Sequence, residues 1–457
     1  MIDLTREAGK KVGIFGLART GETTYLALKD IAHVICNDDS NSNKEAFASK
    51  YGINFFVPII DLAWTKLDYI ILSPGVPTTF PHPHHIVALA KSHNIPIMSD
   101  IDLLYIGRSD AHFISITGTN GKSTTTALIH HILCEQNYDI GGNIGAASLG
   151  LNPTARGYVL ELSSFQLDIT TKFHANIGII LNITPDHIDR HGTFAHYILS
   201  KKSLINNLAK NGTAILSADN KITREIYQDL HSSMKDRHFI RISTKKIIDG
   251  GVCVKGGRIF DSISGTLKEY TLPANKSLQG AHNFENIAAA YAASIVSGLK
   301  PEYIISKLAN FVGLPHRMQF LGTKFNIDFY NDSKATNADA ASKSIAALHN
   351  IYWLAGGVPK EGGIEDLLTL LPDHVKKAYL FGEANDLFAK QINGIIDVQI
   401  CKNMEEAFTA ATKDAAKSTE HANILLAPAC ASYDQFKNYE ERGKRFIEMY
   451  ERISSIG

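Results

Sequence analysis

A lysine and a hydroxyl side by side at the start of a helix, behind a run of small residues, form an arrangement that can hold a polyphosphate. Residues 116–124 read Ile-Thr-Gly-Thr-Asn-Gly-Lys-Ser-Thr. They follow an apolar run at 113–117 and open a helical pattern at 125–133, the setting a phosphate-binding loop requires. In such a loop the backbone N–H groups of Gly118, Thr119, Asn120, Gly121 and Thr124 can approach phosphate oxygens, and the helix N-terminus adds positive potential. Lys122 would neutralise the β- and γ-phosphates, and the Ser123 hydroxyl would ligate Mg²⁺. The general pattern begins with a glycine, and Ile116 holds that position. The competing reading is a turn with a solvated lysine.

Other residues could complete such a site. Glu161 ends the run GYVLE, and a carboxylate at the C-terminal end of a parallel strand faces the ligand crevice, where it suits Mg²⁺. An ordinary strand-end acid is the alternative. Residues 182–191, NITPDHIDRH, put two acids, two histidines and an arginine into one loop after an apolar run. Asn283 and Asn286 are three apart, so they share a helix face and offer paired amides to an adenine edge or a cap to the helix. Residues 194–208 read as a helix whose apolar stripe is Phe194, Ile198, Ile205 and Leu208. Lys201 falls inside that stripe and Lys202 at its edge. A lysine there either snorkels to water or is buried, neutralised and open to addition of CO₂.

These groups need elements to position them. Short apolar runs at 11–16, 33–36 and 69–72 alternate with helical patterns. The alternation restarts at 113–117 and again after residue 314, with strands expected at 325–330, 351–355, 378–381 and 424–427. Alternation of this kind implies α/β architecture, with largely parallel sheets flanked by helices. Paired glycines at 250–251 and 256–257 suggest antiparallel hairpins before a helical segment at 282–296. The expected division is three domains: 1–99, Rossmann-like; 100–313, a phosphate-loop domain; and 314–457, again Rossmann-like. The 457 residues carry 46 basic and 46 acidic side chains. A net charge of zero argues against nucleic acid or an anionic membrane as the main partner. Five scattered cysteines without a Cys-x-x-Cys pair read as reduced thiols of a cytoplasmic protein, and a single small buried thiol is the expectation for Cys430.

Taken in order, the motifs resemble the Mur ligase family along essentially the whole chain. TGTNGKST is similar to that family's loop, and LELSSFQL, the N-x-T-x-D-H-x-D segment, H-N-x-x-N and LPHR at 314–317 all have counterparts in it. DSKATN at 332–337 and SYDQFKNYEERG at 432–443 resemble its D-glutamate-adding branch. The resemblance implies ATP-dependent addition of D-glutamate to UDP-N-acetylmuramoyl-L-alanine through an acyl phosphate, by a monomer. It implies two Mg²⁺ sites, held by Ser123, Glu161, His187 and a carbamate on Lys201, with Lys202 as the other candidate. Lys122, Glu161, His187 and Lys201 would be the catalytic set. ATP would also meet Asn283, Asn286, Arg317 and Asp332. The UDP substrate would meet Ala18, Arg19 and Thr20, the acids Asp38 and Asp39, Ser73, Gly75, Asn143 and Ser164. D-glutamate would meet Lys334, Thr336, Lys360, Ser432 and Tyr439, the last in place of a frequent phenylalanine. Val358 stands where the family often has an acid. The turn at 13–21 also resembles a dinucleotide fingerprint with Ala18 for its middle glycine, which leaves an oxidoreductase as the alternative from another class. A sibling ligase and a non-ligating phosphate-loop ATPase are the others.

Overall fold

A computed structural model describes residues 1–53, 56–278 and 280–453. The chain forms two compact units, Met1–Leu272 with Glu285–Lys307, and Pro273–Phe284 with Leu308–Gly457.

The first unit contains two sheets. The smaller is parallel, with β1 (Lys11–Phe15), β2 (His33–Asn37), β3 (Tyr69–Leu72) and β4 (Ile97–Met98) in the order β2-β1-β3-β4. The larger has nine strands: β5 (His112–Thr117), β6 (Tyr138–Gly142), β7 (Gly157–Glu161), β8 (Ala175–Ile180), β9 (Leu208–Ser217), β10 (His238–Ser243), β11 (Val252–Lys255), β12 (Arg258–Asp261) and β13 (Lys268–Thr271). Their order is β13-β12-β11-β10-β9-β8-β5-β7-β6. Strands β5 to β11 run parallel, and β11, β12 and β13 pair antiparallel. Gly256 and Gly257 turn the β11–β12 hairpin with φ of 57° and 71°, a conformation that glycine adopts without penalty. β5 lies between β7 and β8, so the chain leaves its C-terminal end at a point where successive connections diverge, the usual place for a ligand crevice.

The second unit contains β14 (Gln319–Lys324), β15 (Ile327–Asn331), β16 (Ile351–Gly356), β17 (Val375–Phe381), β18 (Asp397–Ile400) and β19 (Ala422–Leu426), ordered β14-β15-β19-β16-β17-β18. All pair parallel except the edge strand β14. Alternate side chains supply opposite apolar layers: Tyr330, Trp353 and Leu380 on one face, Phe329, Leu354 and Tyr379 on the other. Burial on both faces is why these strands read as continuous apolar runs. Among the described residues no helix is long and apolar enough to cross a membrane.

Two sequence expectations need correction. The strand expected from residue 325 starts at Ile327, because Phe325 and Asn326 form the β14–β15 turn with φ of 53° and 63°. β14 itself was not expected; Gly322 interrupts its pattern at a bulge. The helix expected to reach residue 208 ends at Asn206, and Leu208 opens β9, where it is buried.

Candidate active site

The loop after β5 turns sharply into the helix Lys122–Leu133. Gly121 has φ of 84°, and a Cβ there would lie 2.4 Å from Asn286 Oδ1, so the position demands glycine twice over. Asn286 in turn accepts from the Thr125 hydroxyl at 3.1 Å, which fixes its amide against the loop. The Lys122 ammonium donates to the carbonyls of Gly118 and Thr119, each at 2.9 Å, and so curls over the loop it belongs to. Asn182 accepts from Asn120 N–H at 2.9 Å and donates to Glu285 at 2.8 Å. Glu285 also accepts from Ser217 at 2.6 Å, and burial raises its pKa. Sequence reasoning gave Asn182, Glu285 and Ser217 no role; they wire β8 and β9 to the loop across more than 60 residues, a link that spacing cannot reveal.

Glu161 is 1% exposed at the end of β7. Its Oε1 accepts from Asn143 Nδ2 at 2.7 Å, while its Oε2 is buried without a hydrogen-bond partner. An orphaned buried carboxylate oxygen beside a phosphate loop fits a hard cation, because desolvation without a counter-charge is costly. Lys201 is also 1% exposed, on the inner face of the helix Phe194–Asn206. It donates to Gly118 O at 2.8 Å and to the Thr117 hydroxyl at 3.3 Å, with its ammonium 4.6 Å from the Tyr197 ring centre. Lys202 instead pairs with Asp229 on the outside. Burial, then the charge of Lys122, drives the Lys201 pKa well below that of an ordinary lysine, against the opposing pull of Asp186 and Glu161. An amine so placed can be neutral and nucleophilic toward CO₂.

That depressed pKa has a stability consequence. Between the folded value and the unfolded 10.5, the unfolded chain binds more protons, so stability of the unmodified protein rises with pH through that window. Lys201→Met should therefore melt higher than the parent at neutral pH in bicarbonate-free buffer, with the gap narrowing at alkaline pH. A mutant that melts lower at both would contradict the burial argument.

The remaining first-unit residues frame the crevice. His187 is half-exposed, with φ of 53° and its ring 5.0 Å from Phe165. Ser164 Oγ lies 2.9 Å from His191 Nε2. Arg19 donates to Gly145 O at 2.9 Å and to Gly142 O at 3.4 Å, tying the turn after β1 to the Asn143 segment. In that turn a Cβ on Gly21 would sit 1.9 Å from Gly16 O, so the start of the following helix touches the end of β1 backbone to backbone. Ala18 has the extended φ of −69°, which an alanine adopts freely, and Thr20 O accepts from the hydroxyls of Thr23 and Thr24. Asp38 is engaged by the protein itself, accepting from Leu17 N–H, Ser40 N–H and Asn43. Asp39 meets His84 at 3.0 Å, and Ser73 donates to Gly16 O, beside the exposed Gly75.

In the second unit, Asp332 is buried, accepts from Met318 N–H at 3.2 Å and from the Ser344 hydroxyl, and has its pKa raised by burial. Arg317 lies between His316 and Met318, both with positive φ. Lys334 donates to the Tyr439 hydroxyl at 3.1 Å, and Ser333 to Tyr439 O at 2.8 Å, so the 332–337 and 432–443 segments meet. Val358 and Ala431 exchange backbone hydrogen bonds at 2.9 and 3.1 Å beside the buried Ser432. Thr336 is half-buried and Lys360 exposed. Asn283 is buried at the start of the helix Ala281–Val296. Burial pushes the Cys430 thiol up to about 12, which makes it inert rather than nucleophilic.

Arg442 holds this cluster and was not singled out from sequence. It is fully buried and donates to Ser333 Oγ and to the carbonyls of Ser333, Gly356, Ala431 and Cys430. Its position in an otherwise charged helix gave no sign of burial. Arg442→Ala removes a donor from four carbonyls and from the Ser333 hydroxyl, with Ala431 O keeping Val358 N–H, and should cost about 3 kcal/mol or more, read as a lowered urea midpoint. A midpoint matching the parent would show the cluster to be held otherwise.

Residues 116–294 match the Mur ligase middle domain, and residues 316–430 match the Mur ligase, glutamate ligase domain. A Rickettsia felis protein named UDP-N-acetylmuramoylalanine–D-glutamate ligase is 47% identical, with 97% of each chain covered. A protein of the same name from Nitrobacter hamburgensis is 40% identical, covering 100% of this chain and 99% of its own. Among solved structures, UDP-N-acetylmuramate-alanine ligase MurC from Thermotoga maritima superposes with a TM-score of 0.58 at 18% identity, covering 97% and 99% of the two chains, a likeness of fold.

Proposed function

The chain belongs to the Mur ligase family, and from that premise we propose that it joins D-glutamate to UDP-N-acetylmuramoyl-L-alanine in peptidoglycan precursor synthesis, using ATP. The observation that carries this reading is end-to-end identity of 47% to a relative bearing that name. A carboxylate is a poor acyl donor, so ATP first converts it to an acyl phosphate, which the amine of D-glutamate attacks. Phosphate then leaves from the tetrahedral intermediate. During the first step negative charge builds on the transferred phosphoryl group, and Lys122 and the loop N–H groups are there to offset it.

The family uses Mg²⁺, and the orphaned oxygen of Glu161 supports a site for it there. Ser123, Glu161 and His187 would hold the metal, together with a carbamate on Lys201, in two sites. Bound Mg²⁺ supplies charge neutralisation for the phosphates. Asn286 and Asn283 are assigned to adenine, and Arg317 and Asp332 to the nucleotide. Arg19, with Ala18, Thr20, Ser73, Gly75, Asn143, Ser164 and the acids Asp38 and Asp39, frames the UDP substrate. Lys334, Thr336, Lys360, Ser432 and Tyr439 receive D-glutamate, whose two carboxylates lysines recognise by charge. Residues 1–99, 100–313 and 314–457 are the domains that divide this work, which is supported by one sheet in each. The chain acts as a cytoplasmic monomer; five unpaired cysteines agree with a reducing compartment.

The stereochemistry tests the amine assignment. With D-glutamate, the UDP-linked product should gain one glutamyl unit by mass, and L-glutamate should react about 10²-fold more slowly or worse. Comparable use of L-glutamate, L-lysine or diaminopimelate would replace the assignment with a sibling activity.

A further inference from the structure

Three side chains outside the phosphate site converge below Ser164. Asp168 lies in the helix Ser164–Ile169, His191 ends the helix Ile188–His191, and His196 lies in the first turns of Phe194–Asn206. One potential ligand atom from each falls within 4.8 Å of the others. His191 Nδ1 is 3.4 Å from Asp168 Oδ2, and His196 Nε2 is 3.9 Å from Asp168 Oδ1. The Asp168 side chain is 8% exposed and the His191 side chain 0%. Asp168 Oδ2 is buried without a hydrogen-bond partner, while Oδ1 accepts from the Ser200 hydroxyl.

Tautomers sharpen the point. His196 Nδ1 lies 3.1 Å from the His191 carbonyl, which can only accept, so Nδ1 carries the proton. With a single ring proton on Nδ1, the Nε2 lone pair faces a carboxylate that is itself an acceptor. A proton shared between His191 and Asp168 would satisfy that pair alone and leave His196 Nε2 facing a second lone pair. A carbonyl-bound Nδ1 with a bare Nε2 is also the outer-shell pattern that orients metal-bound histidines.

We propose that Asp168, His191 and His196 form a site for a divalent transition-metal ion of the Zn²⁺ class, separate from the Mg²⁺ sites of the ligase. Two imidazoles and one carboxylate suit Zn²⁺ and Co²⁺ better than Mg²⁺, which prefers all-oxygen shells. Tetrahedral Zn²⁺ ligands stand about 3.3 Å apart; His191 Nδ1 at 3.4 Å from Oδ2, His196 Nε2 at 3.9 Å from Oδ1, and ligand atoms all within 4.8 Å of one another reach that spacing by rotation of His196 and the carboxylate. The His196 side chain is 33% exposed, which gives the ion a way in and leaves a fourth position toward solvent. Metal on His191 Nδ1 obliges its Nε2 to carry the proton, so Nε2 donates to Ser164 Oγ and the serine hydrogen is released toward whatever Ser164 faces.

The test titrates Co²⁺ into the metal-free full chain with Mg²⁺ in excess, so that oxygen-rich sites are already filled. The expected result is a visible absorption band of low-coordinate intensity that saturates at one equivalent. Binding should weaken at least about tenfold in His196→Ala and in Asp168→Asn. His196 is partly exposed, so its variant keeps the parent melting temperature and decides the matter even if Asp168→Asn fails to fold. No saturable band in the parent, or a band of unchanged affinity in His196→Ala, overturns the site and shows the cluster to be an Asp–His ion pair.

Discussion

Lys122→Ala is expected to lower ATP-dependent phosphate release by about 10³-fold or more, with the melting temperature close to that of the parent. The ammonium donates to two carbonyls of its own loop, those of Gly118 and Thr119, and stands at the start of a helix whose first turn aims its N–H groups the same way. The loop is held from beneath by Asn182, Thr125 and Asn286. Charge that develops on a transferred phosphoryl group has no other lysine in this loop to meet it. Near-normal turnover in a folded mutant would remove the loop from the chemistry.

Lys201→Ala should lose activity on a similar scale, about 10³-fold, while Lys202→Ala keeps it. The two neighbours separate cleanly in the structure. Lys201 is buried over Tyr197 and reaches Gly118 O, whereas Lys202 pairs with Asp229 at the surface. A carbamate on Lys201 would put two oxygens where the loop, Glu161 and Asp186 already concentrate charge. Mass spectrometry of the intact protein in bicarbonate would detect the added CO₂. Full activity in Lys201→Ala, or loss confined to Lys202→Ala, would reverse the choice between them.

Much of this site was legible because its chemistry is local. The loop after β5 is one strand, one turn and one helix, and the structure forms those elements where the spacing put them. Lys201 stood out because a charge inside the stripe of Phe194, Ile198 and Ile205 breaks a helical pattern, and the structure buries it beside Tyr197 and Leu204. What stayed hidden was long-range or concealed by pattern. Glu285 meets Asn182 across 103 residues and Arg442 meets Ser333 across 109, and no spacing rule links such pairs. Phe325 and Asn326 turn a hairpin without glycine or proline, so the sequence there reads as strand. Leu208 continued an apolar stripe by type, but backbone pairing with β8 claims it for a strand.

The central claim is that this chain couples ATP cleavage to one particular amide bond. The direct measurement is phosphate release from ATP in the presence of Mg²⁺, with UDP-N-acetylmuramoyl-L-alanine and a panel of amino acids supplied singly and together. The account predicts release only when the UDP substrate and D-glutamate are both present, at one phosphate per amide formed. Sustained release without either one, or with D-glutamate replaced by another amino acid at an equal rate, would contradict it.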